Sequence, residues 1–311
     1  MTREAVDEAL TKIAEIDKSG YRLNSVLAIS ENLSYNETVG PLAGVPILIK
    51  DNIEAIGLPA TAGSLALSDT PVVRDSTIAS RLRAAGATII GATNLSEWAN
   101  IRSGKSSSGW SAVGGLTANP WKHSHSAGGS SSGSGAAVGA GIVSMAVGSE
   151  TDGSIVCPAS LNGCVGIKPT VGSIPRDAMI PISASQDTPG PMAQSVKQTA
   201  QLLEVLTDKT GYVAAAMNES EIRIGVVKGW VTQDPSTNAL FQELLSKLAK
   251  HVKLTEIVLP EPSEDEGEAE FKVLMQELNE DLANYLEGRA GSKVKNLSDV
   301  VDFNSANRDL E

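Results

Sequence analysis

The sequence predicts an α/β protein, and three observations carry that prediction. Short apolar runs of strand type, "VPILIK" at 45–50, "ATIIGAT" at 87–93, "VSMAVGS" at 143–149 and "IRIGVV" at 222–227, alternate with segments of helical period. The stretch "RDSTIASRLRAAGATIIGAT" joins the two types directly: Asp75 or Ser76 can cap a helix, Ile78 and Leu82 share one face, Gly86 stops it, and a strand follows at once. The composition, 41% hydrophobic and 20% charged over 311 residues, leaves ample apolar side chains for a core.

Taken in order, "MTREAVDEALTKIAEID" sets Val6, Leu10 and Ile13 on one helical face beside acidic residues. That plan differs from the basic-then-apolar order of a secretion signal, so a cytoplasmic protein is expected. "VPILIK" reads as a buried strand closed by Lys50, and the capped helix and "ATIIGAT" follow. "GAAVGAGIV" predicts a helix of small residues and "SMAVGSE" the next strand. Helices are predicted over 195–207 (Val196, Thr199, Leu203, Leu206) and 236–251 (Leu240, Leu244, Leu248), as further layers on the sheet. The acidic "EPSEDEGEAE" at 261–270 reads as a linker, and a helical period then runs through Phe271, Leu274, Leu278, Leu282 and Leu286.

Charge and special residues exclude several function classes. Net charge is −12 with no basic cluster, so neither nucleic acid nor an anionic membrane is expected as partner. The longest uncharged run, Ser124–Ser149, is too rich in serine and glycine to span a membrane. Cys157 and Cys164 lie seven apart without C-x-x-C spacing or a completing ligand pair, and read as buried free thiols. His123 and His125 lack a carboxylate partner and read as surface residues, so no metal or cofactor is expected. Trp98, Trp110 and Trp121 can wall a cleft or fill a core.

The segment "HSAGGSSSGSGAAVGAGIVSMAVGSETDGSIVCPAS" admits three readings. A flexible linker fits the composition but not the helix and strand into which the segment runs. A phosphate loop lacks both its lysine and its preceding strand. Nucleophilic catalysis needs a serine on a constrained turn, oxyanion donors and a base; Ser154 in "SETDGSIV" supplies the first. No G-x-S-x-G elbow supports a histidine triad. Lys50 is the alternative base: at a strand end it is ordinarily a snorkelling residue, but if buried its pKa falls and the neutral amine can take a proton.

"GPLAGVPILIKDNI", "GATNLSEWAN", "SHSAGGSSSGSGAAVGAG", "GSETDGSIVCPASLNGCVGIKPTVG" and "PISASQDTPGPMA" resemble, in order, the blocks of the amidase signature family, from about residue 40 to about 207. Within it "NLSEWAN", "SGWSAVGG", "ETDGSIVCPA" and "SQDTPGPMA" look most like bacterial peptide amidases, which remove C-terminal carboxamides. The resemblance implies a central mixed, mostly parallel twisted sheet flanked by helices on both faces, in a single domain over 1–311 with a signature core at 40–207 and a peripheral α/β part at 208–311. Lys50 matches the catalytic lysine, Ser130 the serine behind a cis peptide from Gly129, and Ser154 the acylated nucleophile; the interval 154 − 130 = 24 agrees. Thr151, Asp152, Gly153 and Ser154 match the oxyanion-hole amides. Ser131 and Ser132 are expected to satisfy backbone groups, or to bond the loop and the lysine, rather than to react, and Glu150, at the acidic position of its block, is expected to brace the loop by hydrogen bonds. No cofactor is implied; the substrate is a small amide or peptide amide.

The sequence departs from the family at Val156 and Gln194, where most members carry arginine, and at Asp152, where most carry glycine. Family chains usually continue well past residue 311, which implies either a compact member or a fragment truncated at its C-terminus. Three functions follow from the resemblance: a serine amidase, favoured by the Lys50, Ser130, Ser154 set; an amidotransferase subunit hydrolysing glutamine for a partner; and an inactive remnant used for binding.

Overall fold

The computed structural model describes residues 2–31, 33, 39–218, 222–229, 232–260 and 263–311. They fall into two compact units, Met1–Ala216 with Val273–Glu311, and Met217–Lys272. In chain order the larger unit begins with α1 (Thr2–Lys12), which widens into a π-helical stretch (Ile13–Lys18), then β1 (Val26–Ile29), β2 (Pro46–Lys50), α2 (Thr77–Ala84) and β3 (Thr88–Thr93). A short hairpin, β4 (Trp110–Ser111) and β5 (Gly115–Leu116), precedes α3 (Ser132–Gly139), β6 (Met145–Glu150) and α4 (Val156–Asn162). β7 (Val165–Gly166), β8 (Thr188–Ala193), α5 (Val196–Thr207) and α6 (Tyr212–Ala216) follow.

The sheet order is β1-β3-β2-β6-β8-β7. β2 runs parallel to β3 and to β6, whereas β1–β3, β6–β8 and β7–β8 are antiparallel. The sheet is therefore mixed, with parallel pairing confined to its centre rather than predominant. Every residue of β2 is buried, which is why the strand reads as one continuous apolar run. Side chains alternate across a strand, and here both sides meet a core. Ile47 and Ile49 pack with Ile78 and Leu82 of α2 and Leu202 and Leu206 of α5. Leu48 packs on the other face with Val6 of α1 and Ala136 and Ala137 of α3.

Local signals explain the helices. Ser76 caps α2, accepting from Ala79 N at 3.1 Å, while Asp75 instead accepts from Ile56 N at 2.8 Å. Gly86 leaves the helix at φ +89°. Ser195 caps α5. α3 is buried from Ser132 to Val138, and its glycines serve close packing: a β-carbon at Gly133 would overlap the main-chain oxygens of Ser25 and Asn94. The Ser/Gly stretch is thus a packed helix and not a linker.

The smaller unit holds β9 (Arg223–Val227), α7 (Pro235–Leu248) and β10 (Lys253–Ile257), with β9 and β10 paired in parallel. Two expectations are corrected here. The 222–227 run is not a buried strand, since no residue of β9 is buried, and α7, expected as a packed layer, has no buried residue. The expected linker at 261–270 is corrected as well. Residues 261–262 lie outside the described residues, and the rest belongs to α8 (Glu264–Glu287), within which the division between units falls. Strongly acidic composition with glutamate and alanine suits an exposed helix as well as a loop.

The C-terminal part of α8 and α9 (Leu297–Ala306) return to the larger unit, burying Leu278, Leu282 and Leu286 with Leu67, Trp98, Ile180 and Val300. Buried Arg289 fastens them: it meets Glu54 Oε1 at 3.0 Å, and donates to Tyr285 Oη at 2.7 Å and to the carbonyls of Ala60 and Thr70 at 3.2 and 3.0 Å. Cys157 is exposed and Cys164 half-buried, so the expectation of two buried thiols holds for neither in full; both are free. Burial pushes the Cys164 thiol up to about 11.

Candidate active site

The carboxyl ends of β2 and β6 deliver the site's polar groups into the interior. Lys50 closes β2 fully buried, and its Nζ donates to Ser130 Oγ at 2.6 Å, to Ser149 Oγ at 3.0 Å and to Ser149 O at 3.2 Å. Burial pulls this amine down to about 7, against the carboxylates of Asp187 and Glu150, which pull it upward. The snorkelling alternative is thereby excluded. The Gly129–Ser130 peptide bond is cis, and Ser130 is itself buried.

Main-chain bonds fix the loops around these side chains. Ser96 N–H donates to Ser130 O at 3.1 Å, and Ser131 N–H donates to Ser154 O at 3.1 Å, tying the Ser130 loop to the Ser154 turn. Ser154 is buried at the head of α4. No hydrogen bond joins the Ser130 and Ser154 hydroxyls among the described contacts. Ser131 Oγ donates to Ser149 O at 3.0 Å and accepts from Ser149 N at 3.2 Å, so it meets the strand carrying Lys50's partner and not the lysine itself.

Glu150 braces the turn at three points. Its carboxylate accepts from Gly153 N at 2.9 Å, Ile155 N at 2.7 Å and Val156 N at 3.0 Å. The Gly153 amide, expected as one of four oxyanion donors, is therefore engaged by Glu150. The amides of Thr151, Asp152 and Ser154 make no hydrogen bond among the described residues. Asp152 is exposed at the tip.

Three polar residues at the site escaped the sequence reading. Asn52 Nδ2 donates to Ser149 Oγ at 2.9 Å. Asp187 lies buried before β8, accepting from Thr151 Oγ1 at 2.5 Å and from the amides of Ile182 and Ser183 at 2.8 and 3.0 Å; burial raises its carboxyl. Asn52, Ser149 and Asp187 line a small cavity with Ala99, Ser130 and Thr151. Asp187 had a visible signal, a carboxylate set directly before the apolar run 188–193. Asn52 and Ser149 had none, since both are small polar residues of ordinary loop or strand-end type.

The remaining candidates lie elsewhere. Trp98 is in the core with Leu282, Trp110 lines a separate cavity with Glu97 and Arg102, and Trp121 is exposed with its Nε1 on Asn162 O at 2.7 Å. His123 and His125 line a surface cavity with Arg22. No cluster of three or more metal-ligating side chains occurs among the described residues. No described helix is long and apolar enough to cross a membrane.

The family model for amidases matches residues 4–310. The chain belongs to the amidase family. It is 35% identical over 297 residues to mandelamide hydrolase of Pseudomonas putida, covering 92% of this chain and 58% of that protein. It is 33% identical over 329 residues to a glutamyl-tRNA(Gln) amidotransferase subunit from Methylacidiphilum infernorum, covering 98% and 65%. The native peptide amidase of Stenotrophomonas maltophilia superposes with a TM-score of 0.90 at 37% identity, over 100% of this chain and 69% of that one. The chain thus spans less than two thirds of the length of either curated relative, and its fold is that of the amidase signature enzymes.

Proposed function

We propose that the protein hydrolyses a linear carboxamide, the C-terminal amide of a peptide, to a carboxylate and ammonia through an acyl-enzyme on Ser154. The observation that carries this reading is the 2.6 Å bond from fully buried Lys50 to Ser130, in a loop tied by its next residue to Ser154. Burial favours the neutral amine, which is the form able to accept a proton.

In this mechanism Ser154 Oγ attacks the amide carbon while its proton passes to Ser130 Oγ, and the proton of Ser130 passes to Lys50 Nζ. The two serine hydroxyls close to bonding distance in the substrate complex, as catalytic hydrogen bonds commonly do. The tetrahedral oxyanion lies toward the amides of Thr151, Asp152 and Ser154. Collapse breaks the C–N bond, and the proton returns through Ser130 to the leaving nitrogen, which departs as ammonia. Water then adds to the ester along the same path, releasing the carboxylate and restoring Ser154.

The peptide-amide substrate is favoured by the 37% identity to a peptide amidase across the whole of this chain. Intact-protein mass after exposure to a serine-directed fluorophosphonate, with ammonia release from an amidated dipeptide, tests the reading. One adduct, absent from Ser154→Ala, together with ammonia release, supports it; folded protein that forms no adduct refutes it.

A further inference from the structure

Ser149 stands outside the proton path of the proposed reaction, yet the polar groups of the site converge on it. Its main chain is held by Ser131, whose Oγ bonds both its carbonyl and its amide. Its hydroxyl lies 3.0 Å from Lys50 Nζ and 2.9 Å from Asn52 Nδ2. Asn52 is buried, and that N–H is its side chain's only hydrogen bond among the described residues.

A hydroxyl offers one proton and two lone pairs. The Asn52 N–H fills one lone pair of Ser149 Oγ. If Lys50 is an ammonium, it can only donate, so it fills the second lone pair and the Ser149 proton is left without an acceptor among the described residues. If Lys50 is an amine, its lone pair takes that proton, and the Asn52 N–H, the Ser149 hydroxyl proton and the Lys50 lone pair are all engaged, while the Asn52 carbonyl oxygen stays unpaired in either charge state. Buried unsatisfied donors are costly, so the polarity of the Asn52 amide selects between two charge states of a residue it does not touch.

We infer that Asn52 is a positioning residue that holds Lys50 as the neutral amine, acting through the Ser149 hydroxyl. The inference rests on the reading of Lys50 as the base. At rest the amine donates to Ser130 Oγ and Ser149 O and accepts from Ser149. A turn of roughly 120° about Cε–Nζ, one staggered well to the next, brings its lone pair round to Ser130. The ionisable groups facing Lys50 are the Asp187 and Glu150 carboxylates, both favouring the ammonium, so the neutral hydrogen-bond chain opposes them. Asp51, next along the chain, turns its carboxylate to Thr61, and Arg289 faces Asp51.

The test is carbon NMR of protein labelled at lysine Cε, with the Lys50 signal assigned by its loss in Lys50→Met. Asn52→Leu raises the Lys50 titration midpoint by about half to one pH unit, and Asn52→Asp, which sets a carboxylate there, raises it by more than about one. In a Ser149→Ala background Asn52→Leu has no further effect. The acid limb of Ser154 acylation by fluorophosphonate moves by the same amounts. Asn52→Ala replaces Asn52→Leu if the larger side chain does not fold. A midpoint unchanged or lowered in Asn52→Leu overturns the inference, as does an equal shift when Ser149 is absent. Wild-type protein that forms no adduct refutes the amidase reading separately, and the NMR midpoints still decide the part played by Asn52.

Discussion

Strand β2 and strand β9 are written alike, "PILIK" ending in Lys50 and "RIGVV" followed by Lys228, yet β2 is buried throughout while β9 has no buried residue. β2 lies between two parallel neighbours with helices on both faces. β9 pairs with β10 alone among the described residues. Lys50 consequently loses its solvent and is brought to about 7, whereas Lys228 stays exposed and pairs with Glu256 at 3.3 Å on the surface. An apolar run with a terminal lysine specifies a strand. Whether that lysine is held toward the neutral amine depends on what covers the strand.

The largest expected effect breaks the comparison at the lysines themselves. Lys50→Met lowers kcat/KM for an amidated dipeptide by about 10³-fold or more, and Lys228→Met leaves it unchanged, as steady-state ammonia assays will read. At the strand and helix cores, Leu48→Ala costs about 2–5 kcal/mol in urea unfolding, whereas Leu240→Ala, at a residue 68% exposed, stays within about 0.5 kcal/mol. Glu150→Gln weakens the brace of the turn while keeping its shape, and slows acylation by roughly tenfold to 10²-fold with little change in KM.

The pH dependence sharpens the contrast with a smaller effect. The acylation rate of wild type falls about tenfold per unit below pH of about 7, where Lys50 takes a proton. For stability the sign is opposite to that of a paired lysine. The folded-state pKa lies below the unfolded one, so the penalty for charging Lys50 is fully present below about 7 and is relieved as pH rises toward 10.5. Thermal melts of wild type relative to Lys50→Met rise over that window; a flat difference contradicts the desolvation account.

Much of this was legible in the sequence where the signal is local. Ser76, Gly86 and Ser195 mark helix ends by side-chain and backbone chemistry, and β2, β3 and β6 announce burial on both faces by unbroken apolar runs. Lys50 and Ser154 were candidates from strand-end and turn chemistry, but Ser130 came only from resemblance to a family, since nothing in "GGSSSGSG" distinguishes one serine from its neighbours. What remained hidden was set by tertiary contact. The exposure of β9 depends on partners outside its own pattern. The engagement of the Gly153 amide depends on where the Glu150 side chain turns. The helix at 264–270 was missed because charge density does not distinguish a solvated helix from a loop.

The clamp of Arg289 on Glu54, Ala60 and Thr70 has a consequence for the order of synthesis. Lys50, Ser130 and Ser154 have all left the ribosome long before α8 is made, so the nascent larger unit first exists with Ala60, Leu67, Trp98 and Ile180 uncovered. Only after residues 217–272 have been translated do Leu278, Leu282 and Leu286 arrive to close that face. The apolar face of Ala60, Leu67, Trp98 and Ile180 therefore stays open while residues 217–272 are made, and transiently exposed apolar surface of that kind is prone to aggregation.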